Sequence, residues 1–78
     1  MLHIQIICFG PLPELLGWRS KSVESESPTT PESIALKLGL QNWIQHGLTY
    51  HVDGVMVTPN HSISSNVELA LLPPVSGG

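Results

Sequence analysis

Apolar and polar residues alternate from the start of the chain. Over residues 2–9, Leu2, Ile4, Ile6 and Cys8 fall on one side of an extended segment and His3, Gln5, Ile7 and Phe9 on the other, which predicts a strand with one face in a core. The second face turns apolar toward its end. Gly10 and Pro11 stop this strand, and Leu12–Leu16 has room only for a short helical turn before Gly17. Residues 20–27, polar around Val23, read as a solvated edge strand that pairs antiparallel with the first.

Pro28 closes that segment and a helix start follows. Thr30 is placed to cap, Pro31 to occupy the first helical position and Glu32 to lie near the positive end of the helix dipole. Ile34, Ala35 and Leu38 form the buried stripe, with Gly39 as the C-terminal stop. Residues 41–46 are read as a second helical turn in which Trp43 and Ile44 supply apolar contact. Leu48, Tyr50 and Val52 then alternate with Thr49 and His51, and Asp53-Gly54 is a strong hairpin signal leading into a return strand over residues 55–58. After a polar connection at residues 59–65, residues 66–72 make a last strand with Val67, Leu69 and Leu71 on one side and Glu68, Ala70 and Leu72 on the other.

The order strand, strand, helix, strand, strand, strand shows no repeat and no linker. Helix and sheet each carry one strongly apolar face, and a mixed sheet with one principal helix across it buries both. If the first and last strands are parallel neighbours, the helix lies in their crossover. The expected class is therefore α+β, a ubiquitin-like β-grasp with four to five strands. Residues 1–72 form the domain and residues 73–78 an extended C-terminal tail.

Composition narrows the function. The chain is 78 residues long, 41% hydrophobic and 12% charged, with a net charge of -3 in which only Arg19, Lys21 and Lys37 are basic. Without a basic stripe to neutralise phosphates, nucleic acid is not an expected partner. The apolar runs are far shorter than the roughly 20 residues that span a bilayer, and no secretory leader pattern is evident. The lone Cys8 fits a reducing compartment, so a cytoplasmic location is expected. Cys8 shares the inward face with Ile4 and Ile6 and is read as a structural thiol. His3, His46, His51 and His61 show no paired ligand spacing, and no metal site is expected.

The tail carries the chemistry. Pro73-Pro74 favours an extended start that projects from the sheet, and at about 3.3 Å per residue the arm 73–78 reaches roughly 20 Å. Gly77 and Gly78 are slim enough for a narrow tunnel in another protein. A carboxylate must be activated before it reacts, and joining it to AMP makes a mixed anhydride that a sulfur nucleophile converts to a thiocarboxylate. The chain has no phosphate-binding loop with its lysine and no nucleophile with an evident base, so the catalysts for these steps are expected in trans.

Residues 69–78, Leu-Ala-Leu-Leu-Pro-Pro-Val-Ser-Gly-Gly, resemble the closing signature of the molybdopterin synthase small subunit family, a strand running into Pro-Pro-Val and ending at Gly-Gly. Phe9, Glu14-Leu15-Leu16-Gly17, Thr30-Pro31-Glu32 and Val52-Asp53-Gly54 extend the likeness along the chain. Asp53 stands where the family often has Asn, a swap the turn accepts.

The resemblance implies a β-grasp carrier with no stably bound cofactor. Gly78 would be linked transiently to ATP-derived AMP by an adenylating activating enzyme, thiolated by way of a sulfur-donating sulfurtransferase, and inserted into the molybdopterin synthase large subunit. There its sulfur would go to cyclic pyranopterin monophosphate, within a heterotetramer whose catalytic residues lie on the large subunit. Gly78 is thus the candidate reactive residue, and Pro73, Pro74, Val75, Ser76 and Gly77 are candidate partner-binding residues. Ile7, Phe9 and Leu72 either form a docking patch at the tail's root or are covered by a loop or by the turn at Leu12–Leu16. Competing readings are a sulfur carrier for thiamine or another thiolated product, and a ubiquitin-like modifier joined through Gly78 to a lysine.

Overall fold

A computed structural model describes residues 1–74 of the chain. Eight elements follow in order: β1 (Leu2–Cys8), α1 (Leu12–Leu16), β2 (Ser20–Ser25), α2 (Pro31–Lys37), α3 (Gln41–Gln45), β3 (Thr49–Val52), β4 (Val55–Val57) and β5 (Val67–Leu72). The strands form a single mixed sheet in the order β2-β1-β5-β3-β4. β5 is central, parallel to β1 and antiparallel to β3, while β2 and β4 are the edges. This is the ubiquitin-like β-grasp expected from the alternation of β1 and β5 and the capped helix between them.

The inward faces match the sequence pattern. Ile4, Ile6, Cys8, Leu69 and Leu71 are sealed from solvent, and Ile34 and Ala35 of α2 pack into the same core. Leu38 is only half-buried, because α2 ends at Lys37 and its last turn lies at the margin. Thr30 caps α2 by accepting the Ser33 N–H on Oγ1 at 3.1 Å. The first helical position is Pro31, as expected.

Three boundaries differ from the sequence expectation, each for a local reason. β2 stops at Ser25, two residues early, because Ser25 pairs with Leu2 and β1 begins there. β4 stops at Val57, whose partner Tyr50 is the second residue of β3. β5 starts at Val67 because the Asn66 side chain, not a strand pairing, accepts the His3 N–H at 2.8 Å.

The connection at residues 59–65 is not wholly polar in character. Ile63 is buried and bridges Thr29, which donates its N–H to the Ile63 carbonyl at 2.9 Å and accepts the Ile63 N–H at 2.8 Å. Leu48 belongs to the core with Tyr50 as the alternation predicts, and Leu12 and Leu40, which lie in no sequence-visible periodic stripe, belong to it too. Trp18 and Trp43 are half-buried against it and act as packing residues.

Candidate functional site

β5 delivers the chain to Pro73 and Pro74 from the middle of the sheet, and its last residues are fixed on both sides. The Phe9 N–H donates to the Leu71 carbonyl at 3.2 Å, and the Thr49 hydroxyl donates to the Leu72 carbonyl at 3.1 Å. The chain thus leaves the sheet between the end of β1 and the start of β3. Gly10 turns the chain after β1 with φ +63°, and a Cβ at this residue would lie 3.0 Å from Pro73 Cγ. Only glycine combines this left-handed turn with so close an approach. Pro73 is half-buried there, and Pro74 is exposed.

The face of the sheet opposite the helices carries apolar side chains around this exit. By strand register, Ile7, Ala70, His51 and Met56 form one cross-strand row, and Leu72 lies beside Thr49 in the next. Phe9 follows β1 on the same side and is 42% exposed, Met56 is more exposed still, and Ile7, Ala70 and Leu72 are half-buried. α1 does not cover Phe9, because its own anchor, Leu12, points into the core on the helix side.

The sequence-level candidates therefore divide. Ile7, Phe9, Leu72, Pro73 and Pro74 come together at the exit of β5. Val75, Ser76, Gly77 and Gly78 lie outside the described residues, and with them most of the tail over 73–78. Alternation puts Ala70 on the outward face but does not bring it beside Ile7, and it reveals neither Met56 as a member of the row nor Gly10 and Thr49 as residues at the exit. The outward row follows from register, which alternation within single strands does not reveal. In the sequence Gly10 signals only the end of a strand.

Elsewhere the chemistry is quiet. Burial pushes the Cys8 thiol up, away from the thiolate that a sulfur-handling cysteine would need. Among the described residues no group of three His, Cys, Asp or Glu side chains is placed to hold a metal ion. No helix among them is long and apolar enough to cross a membrane.

The model of the ThiS family matches residues 6–78. The chain belongs to the ThiS family. Its architecture is the ubiquitin-like β-grasp. Among solved structures it is similar to small archaeal modifier protein 1 of Haloferax volcanii, with a TM-score of 0.77 at 22% identity over 96% of this chain and 100% of that one. A second crystal structure, of SAMP1 from the same organism, gives 0.75 at 22% identity over 97% of this chain and 99% of that one.

A Pyrococcus furiosus protein carrying the provisional description molybdopterin converting factor, subunit 1, is similar with a TM-score of 0.77 at 11% identity, over 96% of this chain and 100% of that one. At these identities the likeness is one of fold. A search of the curated proteins finds no match.

Proposed function

We propose that this ThiS-family protein is the sulfur carrier of molybdenum cofactor synthesis, with the Gly78 carboxylate as its working group. The observation that carries the reading is the course of β5. The central strand of the sheet, pinned at Leu71 and Leu72, leads into Pro73-Pro74 beside an exposed apolar patch, and Val75, Ser76, Gly77 and Gly78 come next in the sequence. Such a root orients a short tail toward a partner that docks on Phe9, Ile7 and Leu72.

In the proposed cycle a Gly78 carboxylate oxygen attacks the α-phosphorus of ATP in an activating enzyme, which expels pyrophosphate and leaves the acyl adenylate. Sulfur at the sulfide level, supplied through a sulfurtransferase, then displaces AMP to give the thiocarboxylate. Inside the molybdopterin synthase large subunit that sulfur passes to cyclic pyranopterin monophosphate, and the carboxylate is regenerated. The carrier's own residues supply the nucleophilic carboxylate, the slim tail and the docking face. The proton transfers and phosphate contacts belong to its partners, of which the large subunit forms the heterotetramer with it.

Two other readings share the Gly78 chemistry. Family membership fits a carrier for thiamine or another thiolated product, and the fold likeness to a small archaeal modifier protein fits an amide between Gly78 and a target lysine. Pro-Pro-Val-Ser before the glycines favours the molybdopterin role.

Mass spectrometry of protein drawn from cells is the first test. A fraction heavier by the difference between a sulfur and an oxygen atom, located on the C-terminal peptide, is expected. Reconstitution decides the rest: the thiolated protein should yield molybdopterin with a large synthase subunit. Sulfur donation only to a thiazole-forming system, or attachment to lysines with no thiocarboxylate formed, would overturn the assignment.

A further inference from the structure

The edge strand β2 offers a second place to hold this protein, on the side of the sheet away from the docking patch. Cys8 donates its N–H to the Arg19 carbonyl at 2.8 Å, and in the register that follows Ile6 faces Lys21 and Ile4 faces Val23. Antiparallel ladders alternate, so these residues use their main-chain groups on β1 while those of Ser20, Ser22 and Glu24 point outward from the sheet. Nothing in the fold pairs with that edge among the described residues.

Beside it lies a groove of about 130 Å³ between β2 and α2, floored by Ile6, Val23, Ile34 and Leu38, with Lys37 at its rim. Glu24 and Ser25 close the groove along the strand. Strand alternation turns the Glu24 carboxylate to the opposite face, across from His3. The side chains of β2 on the groove side are Lys21, Val23 and Ser25, and Lys21 is held with Nζ 5.9 Å from the centre of the Trp18 ring. Lys37 thus lines the apolar slot, and Lys21 stands two residues before Val23 on the same face of β2, in a chain with only three basic residues.

We propose that this edge and groove bind an extended segment of a partner protein, which adds to the sheet as a further strand. The open main-chain groups call for an extended backbone. The slot takes a Val, Ile or Leu side chain over Val23 and Leu38. Lys37 and Lys21 select an acidic residue at the flank of that segment. A second copy of β2 would bring the same lysine, not its complement, and is a poorer occupant. This site goes beyond the sulfur-carrier reading and does not depend on it. Because the groove and the Phe9 patch lie on opposite faces, a partner held here leaves the tail free to enter another.

The test is a titration of full-length, ¹⁵N-labelled protein with two synthetic peptides, Asp-Val-Ile-Val-Ile-Asp and its analogue with Lys for both Asp. The acidic peptide should shift the amides of Val23, Lys37 and Leu38 and slow hydrogen exchange at Ser22 and Glu24. Replacing the exposed Lys37, as Lys37→Glu, should weaken it roughly fivefold and strengthen the basic analogue. Equal binding of the two peptides, shifts confined to Ile7, Phe9 and Leu72, or no shifts at saturating peptide would each overturn the proposal.

Discussion

A Cβ on Gly10 would sit 3.0 Å from Cγ of Pro73, so the turn after the first strand and the first residue past the last one are fitted to each other with no room between them. With φ +63° at Gly10, the Gly10→Ala variant meets both a strained backbone and a collision at the tail's root. A loss of about 1–2 kcal/mol is expected from the backbone alone. Thermal unfolding should report this as a fall in Tm of about 5–15 °C. Adenylation of Gly78 by an activating enzyme should slow by more than the unfolded fraction accounts for, because the tail is redirected.

Phe9 tests the docking face without touching the core. It is 42% exposed, so Phe9→Ser should leave the unfolding midpoint nearly unchanged. An aromatic anchor at an interface centre is worth about 2 kcal/mol or more, which corresponds to a loss of roughly thirtyfold in partner affinity. Calorimetry with the activating enzyme or the large subunit checks this, and undiminished affinity would remove Phe9 from the interface.

Thr30 is the cap on which α2 depends. Its Oγ1 accepts the Ser33 N–H, and Thr30→Ala should cost about 1 kcal/mol in urea unfolding with an unchanged m value. Thr30→Ser keeps the acceptor and should recover most of the loss.

Tyr50 contributes to the alkaline loss of stability. Burial, and to a lesser degree the charge of Glu32, push its phenol above its ordinary 10.0. The unfolded chain therefore loses this proton first. The Tyr50 contribution is intact below pH 10.0 and is lost as pH rises from there toward the folded-state value. The buried Cys8 thiol, also pushed up by burial, adds a loss that begins near its ordinary 9.0. The Tyr50 hydroxyl has no hydrogen-bond partner among the described residues. Tyr50→Phe should thus match or exceed the parent in denaturant midpoint at neutral pH and lose less on going above pH 10. A sharp loss at neutral pH would reveal a hydrogen bond to the phenol.

Much of this architecture could be read from residue order because its signals are local. β1 and β5 declare themselves by strict alternation, Thr30-Pro31 by capping chemistry, and the hairpin by Asp53-Gly54, both of which take positive φ. Asp53 does more than turn the chain. Its carboxylate accepts the Glu68 N–H at 2.9 Å, a tie to β5 that hairpin statistics do not foresee. Ile63 was hidden because a single apolar residue among Ser, Asn and His has no period to display, and its burial arises from the bridge to Thr29. The approach of Gly10 to Pro73 and the outward row from Ile7 to Met56 are facts of register between distant segments. The exit of β5 was only partly legible: alternation places Ile7, Phe9 and Leu72 on one face, but not Met56 and Thr49 beside them.

The placement of β5 has a mechanical meaning. Any protein that tugs on the C-terminus pulls along the axis of a strand bonded on both flanks, to β1 through Ile4–Cys8 and to β3 through Thr49–Val52. Those rungs lie across the direction of the pull and bear it together, instead of opening one after another as they would if an edge strand were peeled away. In the proposed carrier role, a partner withdrawing the tail would load those rungs in shear, and the sheet would resist as a unit.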